Sequence, residues 1–310
     1  MENQDTVKQN AVKDANTKEA VNKSDGPSNK ANKTILLFKD VIAKKELANL
    51  NEDFVMPKIK AFLEKNKKTK EKLERVKYSE FRRSKEHEEL IKKIRAELRE
   101  IYGVFIQEGY GKRYELLKAL ETNPSFENHN KILALHKSSQ ERLPYYVSVY
   151  KQIFAITGLP EKMIDFACGL NPFSYPYLGC KPEYIACDLT EKDLEFIKKY
   201  FEISKINGSV KKVDLIKDDV SEITEGADLV FLLKTLDSLE TVKRNISKQL
   251  IEKIKAKNIV VSFSTKSLGG KKTIKKGKRV WFENLAKKLG YKLESFEIPG
   301  EIFYIILTTK

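Results

Sequence analysis

The sequence predicts an α/β protein, an open and mostly parallel sheet clothed in helices, preceded by a purely helical domain. Three observations carry that expectation. Apolar residues recur every three or four positions up to about Gly158, and after Pro160 they gather into short runs separated by amphipathic stretches. The first of those runs ends in a turn of small residues, Ala167-Cys168-Gly169, of the kind that joins a strand to a helix. The chain closes on two apolar strands joined by Pro299-Gly300, a hairpin pattern.

Taken in order, residues 1–33 contain no Leu, Ile, Phe, Tyr or Trp and are expected to form a disordered tail, because so little apolar surface cannot offset the entropy of ordering. The stretch has neither the apolar centre of a secretory signal nor the arginines of a transit peptide. From Thr34 the pattern turns helical, most clearly at Leu90, Ile94, Leu98, Ile101 and Phe105. Residues 34–125 are read as a helical domain and 126–158 as bridging helices that belong with the α/β domain, 126–310. There Met163–Phe166, Tyr184–Cys187, Val210–Leu215, Leu229–Leu233 and Ile259–Phe263 read as strands buried on both faces. Asp193–Phe201, Thr241–Ile254 and Val280–Leu289 read as the helices between them. With the hairpin Lys292–Ile298 and Ile302–Thr308, the alternation fits the seven-stranded, Rossmann-like sheet of a class I methyltransferase better than that of a dehydrogenase.

The net charge of +15 is spread as +1 over residues 1–33, +8 over 34–158 and +6 over 159–310, so both domains are cationic and the tail is not the cause. Such a field favours a polyanion, although a lysine-rich composition alone would produce it too. Cys168, Cys180 and Cys187 lack a C-x-x-C pair, and His87, His129 and His136 lie well away from them in sequence. Neither a disulfide scaffold nor a metal site is expected, and the thiols should be reduced, as in cytoplasm. No run approaches the roughly 18 apolar residues of a membrane span.

The chemistry-bearing residues follow the strands. Asp165-Phe166-Ala167-Cys168-Gly169-Leu170-Asn171-Pro172 leaves the first strand through a turn whose backbone N–H groups can approach a ligand. Asp188 closes the second strand, where a carboxylate accepts the hydroxyls of a ribose or caps the helix beginning near Glu191. Asp214 closes the third and could receive an adenine amino group, with Asp218 and Asp219 as competitors. Between Lys266 and Arg279 lie Lys271, Lys272, Lys275, Lys276 and Lys278 and no acid. The segment leaves the fifth strand at the crevice, and that location favours phosphate contact over a solvated lysine loop. No serine–histidine or cysteine–histidine nucleophile is spaced for catalysis.

Six segments in one order resemble the 16S ribosomal RNA (guanine-N7) methyltransferases of aminoglycoside producers and resistant bacteria: His136–Pro144, Asp165–Pro172, Phe231–Lys234, Ser262–Lys271, Trp281–Glu283 and Glu301–Ile305. The resemblance covers about residues 130–310. It implies S-adenosylmethionine as cofactor, bound by His136, Arg142, Ala167, Gly169, Asp188, Leu189, Asp214, Leu215 and Leu233. Arg142 would pair with the methionyl carboxylate, and Lys234 would lie beside the target base without acting as an obligatory acid or base. The implied partner is 16S rRNA within the small subunit near the decoding site, met through the helical domain by a cytoplasmic, monomeric enzyme, with antibiotic resistance as a possible consequence. Ala167 stands where the family has a first glycine, Ser264 where it has a proline, and lysines where it has Lys-Gly-Met. Guanine N7 carries no proton, so its methylation needs positioning more than a base. A flipped base would call for an aromatic platform, for which Trp281, Tyr175 and Phe173 are candidates. The competing readings are a methyltransferase for another RNA or a protein, and a non-catalytic RNA-binding or ribosome-assembly protein. The last has no need of Arg142, Gly169, Asp188 and Asp214.

Overall fold

A computed structural model describes residues 27–266 and 279–308. Five helices come first: α1 (Pro27–Ile42), α2 (Glu52–Lys65), α3 (Lys67–Arg75), α4 (Tyr78–Phe81) and α5 (Lys85–Ile101). Their apolar stripes converge on a core containing Leu37, Val41, Val55, Ile59, Leu90, Ile94 and Leu98. Ser84 starts α5 by accepting from the His87 N–H, and Leu90, Ile94 and Leu98 of the expected face are buried, while Phe105 lies beyond the helix. Helix α1 begins at Pro27, inside the stretch expected to be structureless. The ammonium of Lys33 donates to the carbonyls of Glu74 and Val76, both at 3.0 Å, so a cation on the end of α3 anchors a segment that lacks large apolar side chains. Residues 1–26 lie outside the described residues.

The chain then runs through α6 (Arg113–Thr122), α7 (Phe126–Leu133), α8 (Lys137–Arg142) and α9 (Tyr146–Thr157) into the sheet. The strands are β1 (Lys162–Phe166), β2 (Glu183–Asp188), β3 (Gly208–Lys212), β4 (Leu229–Leu233), β5 (Asn258–Ser264), β6 (Lys292–Ile298) and β7 (Glu301–Leu307). Their order is β3-β2-β1-β4-β5-β7-β6, parallel throughout except for β7 against β5 and β6 against β7. This is the class I, Rossmann-like methyltransferase sheet. Helices α10 (Glu191–Ile203), α11 (Ser221–Thr224), α12 (Leu236–Val242), α13 (Ile246–Lys253) and α14 (Val280–Lys288) fill the connections.

Alternation along the strands sorts side chains onto two faces. Met163, Tyr184, Phe231, Val260 and Phe303 pack with α7, α9 and α10, while Ile164, Ile185, Val230, Val261 and Tyr304 pack with α13 and α14. Tyr110, Leu117 and Leu120 join the first of these faces and not the five-helix core, although the sequence groups them with residues 34–125.

Two further elements differ from expectation. Strand β3 ends at Lys212, is an edge strand and is largely exposed, so Val210–Leu215 is not a doubly buried run, and Asp214 and Leu215 sit in the turn beyond it. The single helix expected over 241–254 is two, α12 and α13, parted by Asn245 in the left-handed region at φ 64°.

Candidate active site

At the carboxyl ends of β1, β2 and β4, where open α/β sheets bind ligands, the structure forms a cavity. His136, Arg142, Ala167, Gly169, Asp188, Leu189, Asp214, Leu215, Leu233 and Lys234 all line it, so every cofactor and target-base residue expected from the sequence meets in one place. Phe54, Tyr102, Phe105 and Tyr110, from the chain before the sheet, form part of its wall, which the sequence did not indicate.

The turn after β1 is built from backbone conformation. Ala167 and Gly169 both lie at φ 50°. A Cβ on Gly169 would stand 2.8 Å from Nε2 of His136, so glycine is required there by space as well as by φ. The imidazole is fixed from its other side by stacking on Phe105, with centroids 5.5 Å apart. Burial, and then the charges of Arg142 and Lys234, push His136 down to about 3, so the ring is neutral. Its Nδ1 is buried without a hydrogen-bond partner.

Asp188 does not cap α10, whose N-cap is Thr190; it binds the backbone on either side of the cavity. Oδ2 accepts from the Gly169 N–H at 3.0 Å, and Oδ1 accepts from the Leu189 N–H at 2.7 Å. The carboxylate thus holds the β1 turn against β2 while facing the cavity. Burial, and then the neighbouring charge of Asp193, raise it to about 6. Asp214 accepts from the Ile216 N–H and pairs with Lys217 at 3.0 Å, which fixes the turn after β3.

Arg142 is 1% exposed, and its fork is already engaged. Nε and one terminal nitrogen donate to the two oxygens of Glu301 at 3.3 and 2.8 Å. The other terminal nitrogen donates to Oδ1 of Asn171 at 3.0 Å, and Ser138 accepts a further bond at 3.2 Å. Arginine has five N–H donors, so these four bonds leave one for a ligand. A bidentate grip on a cofactor carboxylate, as the resemblance implied, would require Glu301 to give way.

Glu301 was quoted in the Glu301–Ile305 segment without a role. It opens β7, is 1% exposed, and also faces Nζ of Lys234 at 3.3 Å, while Glu141 takes that ammonium at 2.7 Å. Burial alone would raise the Glu301 carboxyl, yet the charges of Arg142 and Lys234 hold it below its ordinary range. Lys234 itself sits at φ 55° after β4, where its N–H donates to Ser262.

Asp165 was likewise quoted in the turn without a role. Its Oδ2 accepts from Asn171 at 2.9 Å and from the Tyr184 hydroxyl at 2.6 Å, whereas Oδ1 is buried with no partner. Burial raises this acid to about 6. A carboxylate in a β1 run that is otherwise apolar is the sequence signal that could have marked it.

The basic segment divides. Lys271, Lys272, Lys275, Lys276 and Lys278 lie outside the described residues, and Lys266 is exposed. Arg279, expected to contact phosphate, is instead 5% exposed. It donates to Asp237 at 2.6 Å and to the Ser264 carbonyl at 3.0 Å, with its guanidinium 4.4 Å from the Phe263 ring centroid. It ties β5 to α12 and α14. Of the aromatic candidates, Phe173 is fully buried against Tyr200, Tyr175 packs on Tyr184, and Trp281 packs on Phe263 and Phe282. None of the three lines the cavity.

A family model described as "Ribosomal RNA methyltransferase (FmrO)" matches residues 67–305. The chain is 30% identical to a 16S rRNA (guanine(1405)-N(7))-methyltransferase of Micromonospora echinospora over 226 residues, 70% of this chain and 81% of the relative. It is 28% identical to a protein of the same name from Proteus mirabilis, over 70% of this chain and 84% of that one. Among solved structures, the 16S rRNA methyltransferase RmtF in complex with S-adenosyl-L-homocysteine superposes with a TM-score of 0.70 at 20% identity. That likeness covers 89% of this chain and 98% of RmtF, and it bears on the fold. The 16S rRNA methylase ArmA gives a TM-score of 0.51 at 26% identity, over 63% of this chain and 96% of ArmA.

Proposed function

The chain belongs to the ribosomal RNA methyltransferase (FmrO) family and is an S-adenosylmethionine-dependent enzyme; from that premise we propose that it methylates N7 of a guanine in 16S rRNA, near the decoding site of the small ribosomal subunit. The observation that carries the site reading is the pair of buried, unpartnered atoms at the cavity, Oδ1 of Asp165 and Nδ1 of His136. A buried polar atom without a partner is costly, and a ligand group of complementary hydrogen-bonding type removes the cost.

The residues present suit the cofactor. Asp188 would accept from the ribose hydroxyls, Asp214 from the adenine amino group, and Asp165 from the methionyl ammonium, with the remaining N–H of Arg142 toward the methionyl carboxylate. Leu189, Leu215, Leu233 and Ile216 give the apolar surround. When bound, S-adenosylmethionine supplies an electrophilic methyl group on a sulfonium. The rest falls to the chain: to seat the base beside Lys234, keep water out, and align N7 with that methyl group. N7 has a free lone pair and no proton, which agrees with a neutral His136 too weak as a base and a Lys234 tied to two carboxylates. Lys266 and the lysines between 271 and 278 are proposed to meet rRNA phosphates, with the helical domain docking on the subunit.

A monomer acting in the cytoplasm suits this substrate. Among the described residues, no helix is long and apolar enough to cross a membrane. Mass-spectrometric mapping of 16S rRNA from cells with and without the protein should show one added 7-methylguanosine. An unchanged methylation map would overturn the proposal.

A further inference from the structure

Asp193 takes no part in the cofactor contacts proposed above, yet it has a dense set of partners. It lies in the first turn of α10, its side chain 4% exposed, at the edge of the cavity. Oδ1 accepts from Nδ2 of Asn49 at 3.2 Å and from the Tyr110 hydroxyl at 2.8 Å. Oδ2 accepts from the Tyr102 hydroxyl at 2.5 Å and from Oγ1 of Thr190 at 2.6 Å. The Arg113 guanidinium is 3.9 Å away.

The origin of these donors gives the arrangement its meaning. Thr190 and Asp193 belong to the loop and helix that follow β2, two and five residues after Asp188. Asn49 precedes α2, and Tyr102 follows α5 and packs on the five-helix core. The same segments bring Phe54, Tyr102 and Phe105 to the cavity wall, and Phe105 stacks on His136. Two other side-chain ties between the parts, Lys192 to the Ala48 carbonyl and Lys212 to Asp53, are exposed and correspondingly weak, while α5 also packs on α12 and the backbone after it bridges Ile106 to His136 and Gln107 to Leu135. The Asp193 carboxylate is a buried polar tie that joins the helical part to the loop and helix following β2 through side chains of both.

We infer that Asp193 is a positioning residue that couples cofactor binding to RNA docking, by locking the helical domain as the aromatic wall of the cofactor cavity. A cofactor that packs on this wall fixes the helical domain relative to the sheet. RNA that grips both domains fixes the same relation and so retains the cofactor. Linkage requires the two effects to be equal. The inference rests on the cavity being the cofactor site and on the helical domain meeting the subunit.

The test uses the full chain, S-adenosylhomocysteine and purified small ribosomal subunits. Affinity for S-adenosylhomocysteine is measured by calorimetry, and affinity for subunits is measured with and without it. In the parent, S-adenosylhomocysteine should tighten subunit binding by about 5- to 150-fold, the usual span of such coupling. In Asp193→Asn that factor should fall toward one. Tyr102→Phe and Asn49→Ala, which keep the carboxylate and remove one donor each, should give intermediate factors and cover the case in which Asp193→Asn does not fold. A purely structural role would lower the melting temperature and leave the coupling factor as in the parent, and that result overturns the inference. So does a parent that binds both partners with a factor of one. A parent that binds no S-adenosylhomocysteine at all would instead refute the cofactor reading.

Discussion

The two ends of the cavity hold their buried carboxylates by opposite means. Where β2 meets α10, Asp188 accepts from backbone N–H groups, and Asp193 accepts from hydroxyls and an amide, with its one cation at 3.9 Å. Elsewhere in the wall Arg142 and Lys234 line the cavity, and Glu301, which does not, lies between these two cations. Burial acts on both ends, but it raises Asp188 to about 6, whereas the paired charges keep Glu301 low. An acid held by neutral donors retains the capacity to take a ligand's hydroxyls. One locked between cations serves as a brace that fixes the groups around it.

The largest effect should come from breaking the brace. Glu301→Gln leaves Arg142 buried without its carboxylate and Lys234 with Glu141 alone, and removing one partner of a buried pair costs about 3–5 kcal/mol. Chemical denaturation should report a loss of that size. A loss under about 1 kcal/mol would show that Arg142 finds another partner and that the brace is no brace.

At the other end, Asp188→Ala should lose charge-assisted hydrogen bonds to the cofactor worth about 1.5–3 kcal/mol, or roughly a 10- to 150-fold weaker affinity for S-adenosylmethionine. Because Asp188 also holds the Gly169 and Leu189 N–H groups, its melting curve must accompany the calorimetry. Equal affinity in a folded variant would remove Asp188 from the cofactor site.

The ends should also part company with pH. Asp165 and Asp188 are both raised to about 6, above the unfolded carboxylate range. Their contribution to folding stability is therefore full below that unfolded range and is lost as pH rises through about 6. Cofactor binding has the opposite sign, since donors from a ligand require the ionised acids. Between pH 7 and 5 affinity should fall about tenfold for each acid that must lose its proton. Glu301, held low, should not titrate in that window. A flat affinity profile from pH 7 to 5 would contradict the roles given to Asp165 and Asp188.

The same contrast explains what was legible in the sequence. Asp188, Gly169 and Ala167 are local features of one strand end and the turn facing it, so order along the chain exposes them. Strands β1, β2, β4 and β5 were legible because they are doubly buried and largely apolar, and β6 because it pairs with β7 across Pro299-Gly300; β3 was misplaced because an edge strand of Gly, Ser, Val and Lys has neither signature. Glu301 was hidden because its partners, Arg142 and Lys234, lie 159 and 67 positions away and meet it only when β7 inserts beside β5. Asp193 was hidden for the same reason, since Asn49 and Tyr102 reach it from before the sheet. Arg279 was misjudged because charge in a basic run looks alike whether it faces solvent or a buried strand end.

The smallest effect concerns the two residues of the β1 turn that share φ 50°, Ala167 and Gly169. Gly169 meets its backbone requirement without cost, and the nearby His136 ring forbids a side chain. Ala167 carries a Cβ in the left-handed region, which is unfavourable by about 1 kcal/mol. Ala167→Gly should relieve that strain, while the added freedom of glycine in the unfolded chain returns part of the gain. The net expectation is a stabilisation of at most about 1 kcal/mol, seen as a rise of about 2 °C or less in melting temperature. Cofactor affinity should stay within error, because the backbone N–H groups keep their places. Destabilisation instead would mean that the Ala167 methyl group packs in the cavity wall, and that this turn gains from contact what it loses in strain. Gly169→Ala, at the same φ, is the control: it should destabilise and weaken cofactor binding, since the new Cβ displaces His136 from its stack on Phe105.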